Sequence, residues 1–206
     1  IGTAASQQTG TVQVGYAASN WGAALAYNYS NGVAAAQGTP FASGLNSGLG
    51  LLASTMNSFG LSAYWQPSTS GFMPSVSAGW GINGYSENKT AFAFNGATSN
   101  SWYVGLQWAD AFIKGNAAGM AVGQPTFITG CGGSDICTGT PHDAGYAWEW
   151  WYKFQVTDNI SVTPAIFYLS NMLGQVGFAA NQAAGAGGRG AALTDFGGLI
   201  KTTFKF

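Results

Sequence analysis

Charge is what this sequence has least of. Of its 206 residues, 6% are charged, against roughly 25% in an ordinary soluble domain. Such a chain cannot clothe a soluble globule in ionised side chains. Long apolar runs are missing too. No stretch approaches the roughly 18 consecutive apolar residues of a membrane helix. The formal net charge of −1 leaves no basic patch, which argues against nucleic acid as a partner. Histidine is represented by His142 alone, expected in a solvated loop, and a Cys/His zinc site is not assembled around it. No Ser/His/Asp set, paired carboxylates or phosphate loop is found, so no reaction and no cofactor are expected. No secretory leader opens the chain, since Ile1-Gly2-Thr3-Ala4 has neither a charged start nor an apolar segment. Either a leader has been removed or the chain begins inside something larger.

What is present is alternation. Glycine (32 residues) is abundant, aromatic residues reach 15%, and apolar and polar residues trade places with period two. A membrane chain without apolar runs has one other route, strands joined edge to edge in a barrel. About nine candidate strands have the length of a tilted membrane strand. They are Thr11 to Ala18, Trp21 to Tyr29, Ser58 to Gln66, Met73 to Asn83, Asn100 to Trp108, Phe112 to Gly123, Tyr146 to Phe154, Ile160 to Ser170, and Asp195 to Phe206. The seventh alternates most clearly: Tyr146, Trp148, Trp150, Tyr152 and Phe154 share one face, and Ala147, Glu149, Trp151, Lys153 and Gln155 the other. The sixth is so rich in Ala and Gly that its facing is open. Pro164 should break the ladder locally in the eighth.

Three regularities point to an antiparallel transmembrane barrel. Short turns follow strands one, three, five and seven, while long connections follow two, four, six and eight (Ser30 to Asn57, Gly84 to Ser99, Gln124 to Gly145, Asn171 to Thr194). That alternation is the pattern of outer-membrane barrels. The outward aromatic residues gather toward strand ends: Trp21, Tyr27, Tyr29, Trp65, Trp102, Trp108, Tyr146, Trp148, Tyr152, Tyr168 and Phe204. They would form two interfacial girdles against outer-membrane lipid. Strand charges keep to the inner parity, where they escape the roughly 2–4 kcal/mol cost of a Lys or Arg at mid-depth in lipid. Lys114, near a turn, is a candidate exception that could snorkel. A soluble β-sandwich would also alternate, but it does not account for outward Trp and Tyr rows with so little charge.

Strands one and nine both descend toward the short-turn side, so closing one on the other would be parallel and odd-numbered. Single-chain bacterial barrels are even and antiparallel. The expectation is therefore that residues 1–206 form the C-terminal part of one barrel domain whose N-terminal strands are absent. A strand missed around Ala34 to Leu52 is the competing explanation.

Individual motifs carry further expectations. Phe206, with Phe204 and Ile200 at alternate positions before it, resembles the C-terminal signal read by the outer-membrane insertion machinery. Cys131 and Cys137 flank a Gly-rich segment and are expected to close a surface loop by a disulfide, worth about 2 kcal/mol. That pairing fits an oxidising compartment. Gly185-Ala-Gly187-Gly-Arg189-Gly190 has the letters of a dinucleotide fingerprint without its strand, helix or acidic residue, and reads as a flexible loop. Glu149, Trp151, Lys153, Lys201 and Lys205 are candidate lumen-lining residues, or members of internal salt bridges in a plugged barrel. The Ser30 to Asn57 connection carries Phe41, Leu45, Leu49, Leu51 and Leu52. It is a candidate constriction loop, or alternatively an apolar contact between protomers.

Three stretches resemble one family, the cyanobacterial outer-membrane porins with an N-terminal S-layer-homology domain, relatives of the carbohydrate-selective porins. They are Lys114 to Pro125, Asp143-Ala-Gly-Tyr-Ala-Trp-Glu-Trp-Trp-Tyr-Lys-Phe-Gln-Val-Thr-Asp-Asn-Ile-Ser-Val-Thr-Pro164, and Ile200 to Phe206. The resemblance covers the second half of the chain well and the first half by pattern. It implies a barrel of about sixteen strands, a homotrimer, and passive permeation of inorganic ions (including iron) and small organic solutes. The family's S-layer-homology domain has no counterpart here. The function expected is a diffusion porin of the outer membrane, with a structural surface anchor as the alternative.

Overall fold

The computed structural model describes residues 8–31, 38–44, 55–69, 71–86, 96–132, 140–174 and 193–205. Nine strands follow one another: β1 (Gln8–Ala17), β2 (Trp21–Asn31), β3 (Thr55–Trp65), β4 (Ser75–Tyr85), β5 (Ala97–Ala109), β6 (Ala117–Cys131), β7 (Ala147–Thr157), β8 (Ile160–Leu169) and β9 (Asp195–Phe204). A five-residue helix, α1 (Pro40–Gly44), lies between β2 and β3. Each strand pairs antiparallel with the next, and the sheet order is the chain order. This meander is the simplest path for strands joined by alternating short and long connections. The short ones are 18–20, 66–74, 110–116 and 158–159, and the long ones 32–54, 86–96, 132–146 and 170–194. β1 and β9 are the two edges, and no pairing joins them among the described residues.

The register turns nine alternating sequences into two continuous faces. Val14 stands opposite Leu25, Leu25 opposite Leu61, Leu61 opposite Trp80, and Trp80 opposite Trp102. The same parity continues through Val122, Trp148, Tyr168 and Phe196. This face carries no ionised side chain on any strand, yet it is open: Val14 is 71% exposed, Trp21 47% and Trp148 39%. The opposite face holds Ser, Gly, Ala, Asn and the strand charges, together with the rings of Tyr64, Tyr103, Trp151 and Phe167. A sandwich would bury Trp21 and Trp148 between two layers; among the described residues there is a single sheet, and they are outside it.

The sheet is also sheared. Tyr16, beside the short connection 18–20, belongs to a row of register partners running through Ala23, Ala63 and Ala78 to Trp148 and Tyr168. Those last two lie at the long-connection ends of β7 and β8. A row that climbs from one rim to the other is the stagger of strands tilted about a barrel axis.

One expected strand differs. The sixth strand does not span Phe112 to Gly123. It starts at Ala117 and continues to Cys131, so much of the expected loop from Gln124 is strand. Phe112 instead sits in the 110–116 connection with φ +61°, a conformation a strand excludes. The continuation past Pro125 is accommodated by register shifts between β5 and β6 at Thr98/Ser99 and Asn100/Trp102, where a missing N–H is tolerated. At Pro164 the β7–β8 ladder skips from the Trp151–Ala165 pair to Phe154–Val162 without a change of register. Proline leaves a gap there, as it has no N–H to donate. Lys114 also lies in the 110–116 connection and not on a strand face.

Candidate functional site on the inner face

The small and polar face encloses space. A trough of about 920 Å³ is lined from eight consecutive strands, from Gln13 of β1 to Phe167 of β8. Eight strands laid flat would spread over roughly 34 Å at their usual spacing. For all of them to border one hollow, the sheet must curl with this face inward. Glu149 is the one charged side chain lining the trough among the described residues.

The other candidate lumen residues share its side of the sheet but not the trough. Trp151 and Lys153 follow Glu149 at alternate positions of β7, opposite Gly119 and Ala117. Lys201 stands on the same face of β9, opposite Thr163. Lys205 lies just past β9, its backbone N–H donating to the carbonyl oxygen of Asn159 at 2.9 Å.

A short piece of the long β2–β3 connection folds onto this inner face. β7 pairs with β6 only from Ala117 to Gly123, so the upper half of β6 has an edge not taken by β7. Gly38 forms a parallel bridge with Thr126 there, and the Thr39 N–H donates to the Thr126 carbonyl oxygen at 2.9 Å. The Thr39 hydroxyl then caps α1 by accepting from the Ala42 N–H at 3.1 Å. α1 packs Phe41 and Ala42 against Tyr85, Ala97 and Ile128. These five are the buried hydrophobic residues among those described, so the dry core among the described residues is inside the curl. Of the candidate constriction residues, Phe41 is in this core at 6% exposure. Leu45, Leu49, Leu51 and Leu52 lie outside the described residues.

Asp143, wholly buried, closes the junction. Its Oδ2 accepts from the Thr39 hydroxyl at 2.6 Å and from the Ile128 N–H at 2.7 Å. Gly174, at φ +51°, abuts the same carboxylate, and a Cβ there would collide with it. Nothing in the spacing of the sequence singles out Thr39 or Asp143 for this meeting, because they are 104 positions apart.

The candidate girdle residues occupy the outer face, apart from Tyr146, just before β7, which borders it through its contact with Trp102. Toward the short connections, Trp21 faces Trp65 across the ladder, Trp108 donates its indole N–H to the Phe72 carbonyl oxygen at 2.9 Å, and Tyr152 donates its hydroxyl to that of Ala111 at 2.8 Å. Phe204 is opposite Ile160. Toward the long connections, Tyr27 stacks on Phe59 at 5.0 Å, Tyr29 faces Asn57, and Trp148 faces Tyr168. Trp102 meets Tyr146 at 6.3 Å and donates to Gln124 Oε1 at 2.6 Å. The polar edges of Tyr27, Trp102, Trp108 and Tyr152 each find a partner, as suits side chains between lipid and water. Cys131 is disulfide-bonded; Cys137, the only other cysteine of the sequence, and Phe206 lie outside the described residues, as does Gly185 to Gly190. Among the described residues no group of three or more His, Cys, Asp or Glu is placed to hold a metal.

Comparison with known proteins agrees with this geometry. Residues 2–192 match the family described as carbohydrate-selective porin, OprB family. An uncharacterized protein of Nostoc sp., alr4550, is 30% identical over 164 residues, 72% of this chain and 26% of its own length. An uncharacterized protein of Synechocystis sp., sll0772, is 29% identical over 106 residues, 49% of this chain and 19% of its own length. The chain thus spans about a quarter or less of these relatives. No solved structure matches it.

Proposed function

From the premise that the chain belongs to the carbohydrate-selective porin family, OprB, a family of outer-membrane β-barrel porins, we propose that it forms part of the wall of a passive channel. Small solutes and inorganic ions would move down their gradients along its inner face. The observation that carries this reading is the division of one curled sheet into an uncharged apolar outer face and a small, polar inner face bordering a trough. In lipid the strand edges β1 and β9 need partners, because hydrocarbon offers their N–H and C=O groups no water. Further strands, about sixteen in all in a homotrimer, would supply them. On this reading residues 1–206 are the C-terminal part of the barrel, the ring-edged rows are the two interfacial girdles, and Phe206 is the insertion signal. A Cys131–Cys137 disulfide would pin an exposed connection. Glu149, Trp151, Lys153, Lys201 and Lys205 would line the lumen, and the segment bearing Phe41 would narrow it.

Reconstitution of the full-length protein into planar bilayers tests the proposal. Discrete conductance steps in KCl are expected. A folded, inserted protein that gives no steps would overturn it in favour of a structural anchor.

A further inference from the structure

We propose that Asp143 is the positioning residue that holds the 38–44 segment over the inner face, and that this latch sets the width of the channel. The inference rests on the porin reading above. Three parts of the chain meet at one carboxylate: the segment through Thr39, the wall through Ile128, and the 132–146 connection to which Asp143 itself belongs. The geometry explains why a carboxylate stands there. The upper half of β6 is not paired by β7, and the Ile128 N–H would otherwise be buried without an acceptor, since Ile128 is 1% exposed. Asp143 replaces the missing strand for that N–H. The same oxygen takes the Thr39 hydroxyl, so satisfying the wall and holding the segment are coupled.

One parallel bridge, a backbone hydrogen bond to Thr126 and the side chains of Phe41 and Ala42 also attach the segment. α1 is too short to be stable alone. A hydrogen bond to a carboxylate is stronger than one between neutral groups, so its loss should shift the docked-to-released ratio by roughly ten-fold or more. Gly38 borders the trough itself, so a released segment changes the open cross-section directly.

The experiment compares unitary conductance and open-channel noise of the full-length wild type with Thr39→Val and Asp143→Ala. Asp143→Ala is also made in a variant whose residues 38–44 are replaced by a Gly/Ser linker. Thr39→Val spares the Asp143–Ile128 bond and keeps the test available where Asp143→Ala fails to fold. Higher conductance or added noise in both substitutions, with no further effect of Asp143→Ala in the linker background, is the expected result. Wild-type conductance and noise in folded Thr39→Val overturn the latch, as does an Asp143→Ala effect that persists without the segment. A wild type with no channels at all would instead overturn the porin reading, so the two failures are distinct.

Discussion

Trp151 packs its indole onto Gly119, its register partner on the neighbouring strand, where even a Cβ would overlap the ring. Three more cross-strand pairs repeat the relationship on the inner face: Tyr64 on Gly22, Tyr103 on Gly79 and Phe167 on Gly197. A bulky ring on the concave side of a curled sheet must stand into the hollow or lie along the wall. The bare glycine opposite gives it the wall, and its aromatic neighbour covers the glycine in turn.

Gly119→Val should therefore displace the Trp151 ring and cost about 1–3 kcal/mol by overpacking. Urea unfolding from lipid vesicles measures this. Combining it with Trp151→Ala should recover most of the loss, since the pair shares one clash. Additive losses would show that the ring is not the obstacle.

Leu61 and Gly60 are adjacent on β3 and face opposite ways. Leu61→Arg puts a cation on the apolar face beside Leu25 and Trp80, at a cost of roughly 2–4 kcal/mol near mid-depth. Gly60→Arg enters the inner face, where nothing lies within 4 Å of a new Cβ, and should cost much less. Insertion yield into vesicles and unfolding midpoints read both. Equal losses would contradict the assigned parity.

Asn116 is nearly buried at the short-connection rim. It donates to the Tyr152 hydroxyl at 2.9 Å and accepts from the Gln155 N–H at 2.9 Å. Asn116→Ala strands the Gln155 N–H and should lower stability by about 1–3 kcal/mol. Thermal unfolding in detergent, followed by far-UV circular dichroism, checks it, and a loss of a few tenths would mean that water replaces the amide.

Glu149 is the charge that borders the trough. Glu149→Lys should move the reversal potential in a KCl gradient toward anion preference, more strongly at low salt because exposed charges are screened. Lys201→Glu, lower on the same face, should move it the other way by less. Unchanged potentials in both would remove these side chains from the permeation path.

Much of this was legible along the chain. Trp148, Trp150 and Glu149 declare their faces by parity, because lipid outside and water inside demand opposite chemistry at every second residue. Phe112 and Pro125 mislead for local reasons. The first is apolar in a turn that holds it at positive φ, and the second sits where a register shift lets the strand continue. The meeting of Asp143 with Thr39 left no local trace at all, since both are ordinary polar residues in long connections.

The sequence by itself determined the strands other than the sixth, their facing and the inside-out distribution of apolar side chains, since these follow from period-two alternation and the absence of charge. Only the tertiary structure decided the shear of the sheet, the glycine–aromatic pairs and the folding of 38–44 onto the wall. Those depend on which residues become neighbours across the ladder. Register is set by many weak cross-strand contacts acting together, and no single stretch of chain encodes it.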